Sequence, residues 1–462
     1  MRVTLPVSMG GIWASGHWWY KLAHVCQRWR NVILGSVSYL GLSLVCTNGS
    51  PVANMLAHSS HFPLVIDYNL RDFTAEDEEG AILALKQRDR VRRVRLQMAV
   101  TSLQKLIAAM EEEYPILEYL ILTLPINDND SVLTLPETLQ APHLRNLVPR
   151  GLSLPIGCRL LATAVGLVAL CLVMLHPSTY VHPNTLLRWL SFMPQLETLV
   201  IGFIVAFPSR DVERPLANTP IVTHVTLPNL HHLWFQGVTT YSEALVRRIA
   251  APRLGKLQIR LRNQLTYSVP RLLQFMNTTE NLRFDSAKFE FLKANLNAKF
   301  YSRRGAGRYP FTISVGCWHF DWQVSFASQI FNSIGQMLSA VEHLILGHEE
   351  HNQSSEEHNE VERTEWRELL RSFSNVKSLS IDKGLVEEVL RCLELEDGEL
   401  PLDLLPELQE LTYPGSGDTG AFTSFVDARQ NAGRPITVVG PSPSPGPVPS
   451  SSASITPANN EQ

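Results

Sequence analysis

Leu196-Glu-Thr-Leu-Val-Ile201, Leu230-His-His-Leu-Trp-Phe235 and Leu254-Gly-Lys-Leu-Gln-Ile259 state one phrase three times: an apolar residue, two free positions, a second apolar residue, one free position and a third. Its last residues alternate as a half-buried strand does, with successive side chains on opposite faces. Upstream the phrase recurs as Val91-Arg-Arg-Val-Arg-Leu96, Leu117-Glu-Tyr-Leu-Ile-Leu122, Leu144-Arg-Asn-Leu-Val148 and Leu167-Val-Ala-Leu-Cys-Leu172. Downstream it returns as Val341-Glu-His-Leu-Ile-Leu346, Val376-Lys-Ser-Leu-Ser-Ile381 and Leu408-Gln-Glu-Leu-Thr-Tyr413. A degenerate copy ends in Leu282-Arg-Phe284.

Counted between their second apolar residues, successive copies lie 23 to 35 residues apart, with one gap of 62 that holds the strand-like Phe311-Thr-Ile-Ser-Val315. Helical patterns fill the intervals, over 77–87, 103–113, 184–192, 242–250, 269–276, 330–340 and 362–373. Thr74-Ala-Glu-Asp77 has capping-box spacing, and Ser242 before Glu243 reads as a second cap. Pro115, Pro142, Pro194, Pro228, Pro252 and Pro406 each precede a strand phrase, where they stop a helix. A strand and a helix repeated at this period predict an α/β fold: an irregular leucine-rich-repeat-like solenoid, a curved parallel sheet with helices on its outer face. The Asn that comes after the strand phrase in regular repeats is missing from most copies, so the array should be uneven.

The chain has 462 residues, 40 Lys plus Arg against 44 Asp plus Glu, 18% charged and 45% hydrophobic residues. Such a composition excludes a disordered chain and argues against a phosphate-driven nucleic-acid binder, which needs a concentrated basic surface. Cys26, Cys46, Cys158, Cys171, Cys317 and Cys392 are far apart with no CxxC pair, as expected of reduced thiols in a cytoplasmic or nuclear protein. No signal peptide is expected, because Pro6, Gly10 and Gly11 interrupt the early apolar stretch. Leu160 to Leu175 is uncharged but shorter than the roughly 18 residues a bilayer span needs, so it reads as a buried helix running into the strand Leu170–Met174. Glu349 to Glu362 reads as a solvated acidic loop, and Pro441 to Gln462 as a Pro/Ser-rich disordered tail.

Near the N-terminus, apolar residues at 18, 22, 25, 26, 29, 32 and 33 recur at helical spacing, opposite Lys21, Gln27, Arg28 and Arg30. On spacing alone this is a helix capping the first repeat. The string Leu22-Ala-His-Val-Cys-Gln-Arg-Trp-Arg-Asn-Val-Ile33 also resembles the second half of an F-box, and the chain beyond it resembles a family of F-box proteins from mushroom-forming fungi. That similarity runs through Leu40–Val45, Pro51–His58, Pro63–Asp67, Asp89–Arg93, Leu186–Leu190, Met193–Leu199, Phe275–Leu282 and Leu405–Leu411, covering roughly residues 18 to 435.

The resemblance implies a non-catalytic substrate-recognition subunit of a cullin-based ubiquitin ligase, holding a target protein on its repeat face. Leu22, Val25, Cys26 and Trp29 match the motif and would bind a Skp-type adaptor, with Trp29 as the aromatic anchor. The first half of the pattern is not matched. Thr4-Leu-Pro-Val-Ser-Met-Gly-Gly-Ile-Trp13 carries Leu5-Pro6 but no carboxylate, and Gly10-Gly11 would break a helix. A missing first half implies an N-terminally truncated F-box, whose first helix would be sought upstream of Met1. The expected organisation is a degenerate N-terminus (1–17), a partial F-box-like helical segment (18–45), the solenoid (46–435) and the tail (436–462). The alternative is a stand-alone repeat scaffold without ligase coupling.

Other chemistry is sparse. His348-Glu-Glu-His351 with His358 could offer metal ligands, but the spacing fits neither HExxH nor HxxEH and no metal site is expected. Arg90-Val-Arg-Arg-Val-Arg95 looks basic, yet its alternation puts Val91 and Val94 in the core, with the arginines facing the acidic run Glu76–Glu79. No nucleophile elbow, phosphate-binding loop or calcium loop is present, and Gly415–Gly420 lacks the lysine a phosphate cradle needs; neither enzyme activity nor a cofactor is expected. No nucleic-acid or membrane partner is expected, and the target protein is not identified. Positions flanking the strand phrases, Arg145, Glu197, His231, His232, Lys256, Arg283 and Lys377, are candidates for contacting it.

Overall fold

The computed structural model describes residues 25–35, 42–59, 61–125, 132–174, 179–203, 223–262, 269–279, 281–303, 309–332, 335–349, 363–394, 399–414 and 422–439. These form two compact units, one of residues up to Phe284 together with Lys299–Gly316, the other of Asp285–Ala298 with the chain from Cys317 onward.

In chain order the elements of the first unit begin with α1 (Gln27–Gly35), β1 (Leu44–Cys46), α2 (Val52–His58), β2 (Leu64–Asn69), α3 (Ala75–Leu85), β3 (Val91–Gln97), α4 (Val100–Ala108) and β4 (Tyr119–Thr123). They continue with β5 (Leu133–Thr134), β6 (Asn146–Arg150), β7 (Leu152–Ser153), α5 (Arg159–Thr163), β8 (Ala169–Met174), α6 (Pro183–Leu190), β9 (Thr198–Phe203), β10 (Val225–Thr226) and β11 (His232–Gly237). Then come α7 (Thr239–Val246), β12 (Ile249–Ala250), β13 (Lys256–Arg262) and α8 (Pro270–Asn277). Past these lie β14 (Ser286–Leu292), β15 (Asn295–Tyr301), β16 (Phe311–Gly316), α9 (Phe320–Asn332), α10 (Gly335–Leu338), β17 (His343–His348) and α11 (Arg363–Arg371). The last are β18 (Ser378–Ile381), α12 (Val386–Leu393), β19 (Glu410–Thr412), α13 (Thr423–Asn431) and β20 (Thr437–Val439).

The first unit is a leucine-rich-repeat-like ladder of parallel strands in the order β1-β2-β3-β4-β6-β8-β9-β11-β13-β16. Its register is set by the phrase. Val94, Leu120, Leu147, Leu170, Leu199, Leu233 and Leu257 are successive partners, ending on Phe311. A strand displaced by one residue would turn these leucines to the other face, so their burial fixes the pairing. The leucines that open the phrases, Leu117, Leu144, Leu167, Leu196, Leu230 and Leu254, are also fully buried, and each buried leucine contributes about 1.5–3 kcal/mol of apolar transfer free energy. Helices cover this side of the ladder: Tyr241 of α7 packs on Phe203 and Phe235 and donates to the Val181 carbonyl at 2.8 Å.

The second unit repeats the plan with parallel β14-β17-β18-β19-β20, where Leu344, Leu379 and Leu411 stand in register. Phe331 of α9 and Trp366 of α11 pack on Phe289 and Phe291. Two buried arginines hold its loops. Arg367 donates to the carbonyls of Cys392 and Glu394 and pairs with Glu399. Arg429 of α13 spans the carbonyls of Pro401, Leu404, Pro406 and Leu408.

Leu160 to Met174 forms the expected helix and strand, α5 and β8. Every residue of β8 is buried, on both faces of the sheet, which accounts for a charge-free run without a bilayer. Among the described residues no helix is long and apolar enough to cross a membrane.

Several expectations need correction. The degenerate copy at Leu282–Phe284 is not a strand; the strands there are β14 and β15, joined by the two-residue turn Lys293–Ala294. The helix expected over 330–340 starts ten residues earlier as α9, and the one expected over 103–113 starts earlier as α4. Ser242 is no cap: it is buried inside α7, and Glu243 instead accepts from Arg271 N and Leu272 N at the start of α8. The ladder exceeds the expected boundaries at both ends, since β1 begins at Leu44 and β20 ends at Val439. Thr74 and Asp77 do form a capping box, and the Asp77 carboxylate additionally accepts from Gly49 N at 2.7 Å.

Candidate interaction surfaces

Two surfaces carry the side chains singled out by the sequence. The first is the outer side of α1. Trp29 and Val32, with Val25 just before the helix, fall at positions i, i+4 and i+7 and are 49%, 60% and 62% exposed, while Ile33 on the inner side is only 4% exposed. Cys26 beside them is exposed as well. A helix of this length turns one stripe toward its own fold. Here a second apolar stripe is left facing outward. Leu22 lies outside the described residues.

The second surface is the face of the strand ladder opposite the leucines, and its character changes from strand to strand. On β2 and β3 charges are paired within the sheet: Arg95 meets Asp67 through two 2.6 Å contacts, and Arg93 lies over the Tyr119 ring. Arg92 pairs with Glu118, and Arg90 donates to the Phe62 and Ser59 carbonyls. The basic run is thus engaged by Asp67, Glu118 and backbone rather than by Glu76–Glu79, of which Asp77 caps α3 and Glu78 pairs with Lys105.

From β4 to β11 the same face carries an apolar patch. Val148, Cys171, Val173, Val200 and Trp234 form a buried cluster with Ile121 packed against it. The Trp234 ring sits so close over Gly202 that a Cβ there would meet it at 2.9 Å. Burial pushes the Cys171 thiol up to about 12, against the opposing effect of Arg150, so it stays protonated at neutral pH. Cys46, Cys158, Cys317 and Cys392 are also buried and unpaired.

At β13 the face becomes cationic. Lys256, Arg260 and Arg262 share it with Gln258, in register with His232 and Gln236 of β11 and with Thr312 and Ser314 of β16. His232 and Gln258 are 3.1 Å apart. Burial, and then the Lys256 charge, hold His232 below the usual imidazole range, which keeps it neutral at pH 7.

Of the positions chosen beside the strand phrases, His232 and Lys256 are therefore brought together. Arg145, Glu197, His231 and Arg283 are exposed before their strands, and Lys377 pairs with Glu342. Arg260 and Arg262 escaped sequence reasoning, although their alternation with Ile259 and Leu261 was there to be read. Trp318 and Trp322, largely exposed at the start of α9, were missed too; W-x-x-x-W was the available signal. His348 packs edge-on against Phe320, His351 and His358 lie outside the described residues, and no group of His, Cys, Asp and Glu among the described residues could hold a metal. Gly415–Gly420 also lies outside them.

No family model matches the chain, and no curated protein matches it. Among solved structures it is similar to TLR13 in its complex with ssRNA13, at 11% identity and a TM-score of 0.33 over 86% of this chain and 48% of that one. It is also similar to the leucine-rich repeat-containing protein LegL7 from Legionella pneumophila, at 11% identity and a TM-score of 0.26 over 80% of this chain and 99% of that one. The chain thus spans about half the length of the first of these. The leucine-rich-repeat character of this fold rests on its own ladder and register.

Proposed function

We propose that the protein is a non-catalytic, F-box-like substrate-recognition subunit of a cullin-based ubiquitin ligase: α1 and the residues before it dock a Skp-type adaptor, and the repeat face holds a target protein. The observation that supports this reading is the outward apolar stripe of α1, Val25, Trp29 and Val32, on the residues that carry the F-box resemblance. Exposed large apolar groups in a row mark a binding surface. The mechanism is tethering: two binding events on one chain raise the effective concentration of the target at a separate transferring enzyme. No side chain of this protein takes part in the transfer.

Co-purification with a Skp-type adaptor tests the proposal. A complex stable at micromolar concentration, weakened about 30-fold or more by Trp29→Ala, is the expected result for an aromatic anchor. Absence of binding to the unaltered chain sinks it. The second reading, a stand-alone scaffold, is favoured by the unmatched first half of the motif around Leu5-Pro6 and Gly10-Gly11.

A further inference from the structure

On β2 and β3 the ladder satisfies its charges internally, as the Asp67–Arg95 pair shows. The cations of β13 are treated differently. Lys256 and Arg260 are half-buried and have no carboxylate partner among the described residues, and Arg262 follows on the same face. Burial holds all three below their ordinary pKa, and like-charge repulsion adds to this at Arg262. A fully solvated row of cations would cost little. Two partly dehydrated cations without a counter-charge among the described residues, Lys256 and Arg260, are a standing cost that an anionic partner would relieve.

The surroundings are those of a receiving surface. His232 and Thr312, both part-exposed, flank the strip on its two sides, while Gln236 and Ser314 beside it are buried. Alternate residues of a strand recur every 6.6 Å or about that, the spacing of alternate side chains in an extended peptide laid along it. Arg presents a planar fork that matches a carboxylate in two-point contact.

We infer that the β13 strip, anchored by Lys256 and Arg260, is the docking subsite of the repeat face, and that it receives an extended, carboxylate-rich segment of the target protein with acidic side chains at alternate positions. This rests on the reading that the repeat face binds a target protein. It commits that face to a partner chemistry and leaves the apolar cluster from β4 to β11 as structural support.

The test uses the full chain and a fluorescein-labelled alternating Glu-Ser peptide, followed by anisotropy at about 150 mM salt, where unspecific surface attraction is screened. Saturable micromolar binding is expected, lost on replacing Glu by Gln in the peptide and weakened at least tenfold or so by Lys256→Gln with Arg260→Gln. Because those substitutions remove uncompensated half-buried charge, the variant should melt no lower than the parent, which separates lost binding from lost folding. No saturable binding, or equal binding to the double variant, overturns the inference. Tighter binding of the matching phosphoserine peptide, or of oligothymidylate at the same salt, overturns the carboxylate assignment. Adaptor capture is measured on the same preparation: capture without peptide binding defeats this inference alone, and peptide binding without capture defeats the ligase reading alone.

Discussion

At the residue scale, Arg429 shows how far a single buried charge can organise a terminal repeat. Its guanidinium is fully buried and reaches four carbonyls of the loop 401–408 while lying over Phe425. Lysine has neither the fork nor the span to serve them, so Arg429→Lys should cost roughly 2 kcal/mol or more in urea unfolding. Asp77 makes a second residue-scale case. Burial alone would raise its pKa, but bonds from Thr74 N, Gly49 N and the Thr74 hydroxyl outweigh that and hold the carboxyl below its usual value. A carboxylate depressed in the folded state stabilises at neutral pH, and that stability is lost as pH falls through the folded pKa. Asp77→Asn should therefore cost about 1 kcal/mol at neutral pH, with parent and variant converging as the pH falls through the depressed pKa of the folded state. Thr74 and Asp77 were legible in the sequence because a capping box is local. Arg429 was not, because its partners stand more than twenty residues away and no spacing rule names them.

At the element scale, the strand phrases were readable since their leucines recur with a fixed internal pattern, whereas helix limits depended on neighbours. Glu243 illustrates the difference. Instead of belonging to a cap of its own helix, it accepts from the first amides of α8, one repeat on, at 2.7 and 2.8 Å. Burial raises its pKa and those two bonds oppose the rise. Glu243→Ala should strip α8 of its cap and lower stability by about 1 kcal/mol, measurable as an earlier thermal midpoint. The outer stripe of α1 predicts the opposite behaviour. Trp29→Ala removes an exposed side chain, so unfolding should shift by no more than about 0.5 kcal/mol even though adaptor binding is lost. The β14–β15 hairpin went unread for a definite reason: Ala287, Phe289, Phe291 and Leu296, Ala298, Phe300 alternate as strands do, but without the leucine or valine that opens the strand phrase.

At the scale of the molecule, eight strand intervals separate β1 from β13 in the first unit, at about 4.8 Å each. Trp29 of α1 shares no hydrogen bond or ion pair with Lys256 or Arg260 of β13, so substitutions at the two surfaces should act additively. The combination of Trp29→Ala with Lys256→Gln and Arg260→Gln is expected to lose adaptor and acidic-peptide binding by the same factors as the separate variants; a departure beyond twofold or so in either affinity would reveal coupling. The sequence by itself determined the parallel ladder and its register, because a periodic row of buried leucines admits one pairing and every displaced pairing exposes it. Tertiary structure alone decided what the opposite face does. Whether Val200 and Trp234 are buried, whether Arg95 meets Asp67, and whether Lys256 and Arg260 go without a counter-charge depend on which residues of other repeats stand beside them. Those neighbours lie some 25 residues along the chain and are brought close only by the stacking of the repeats.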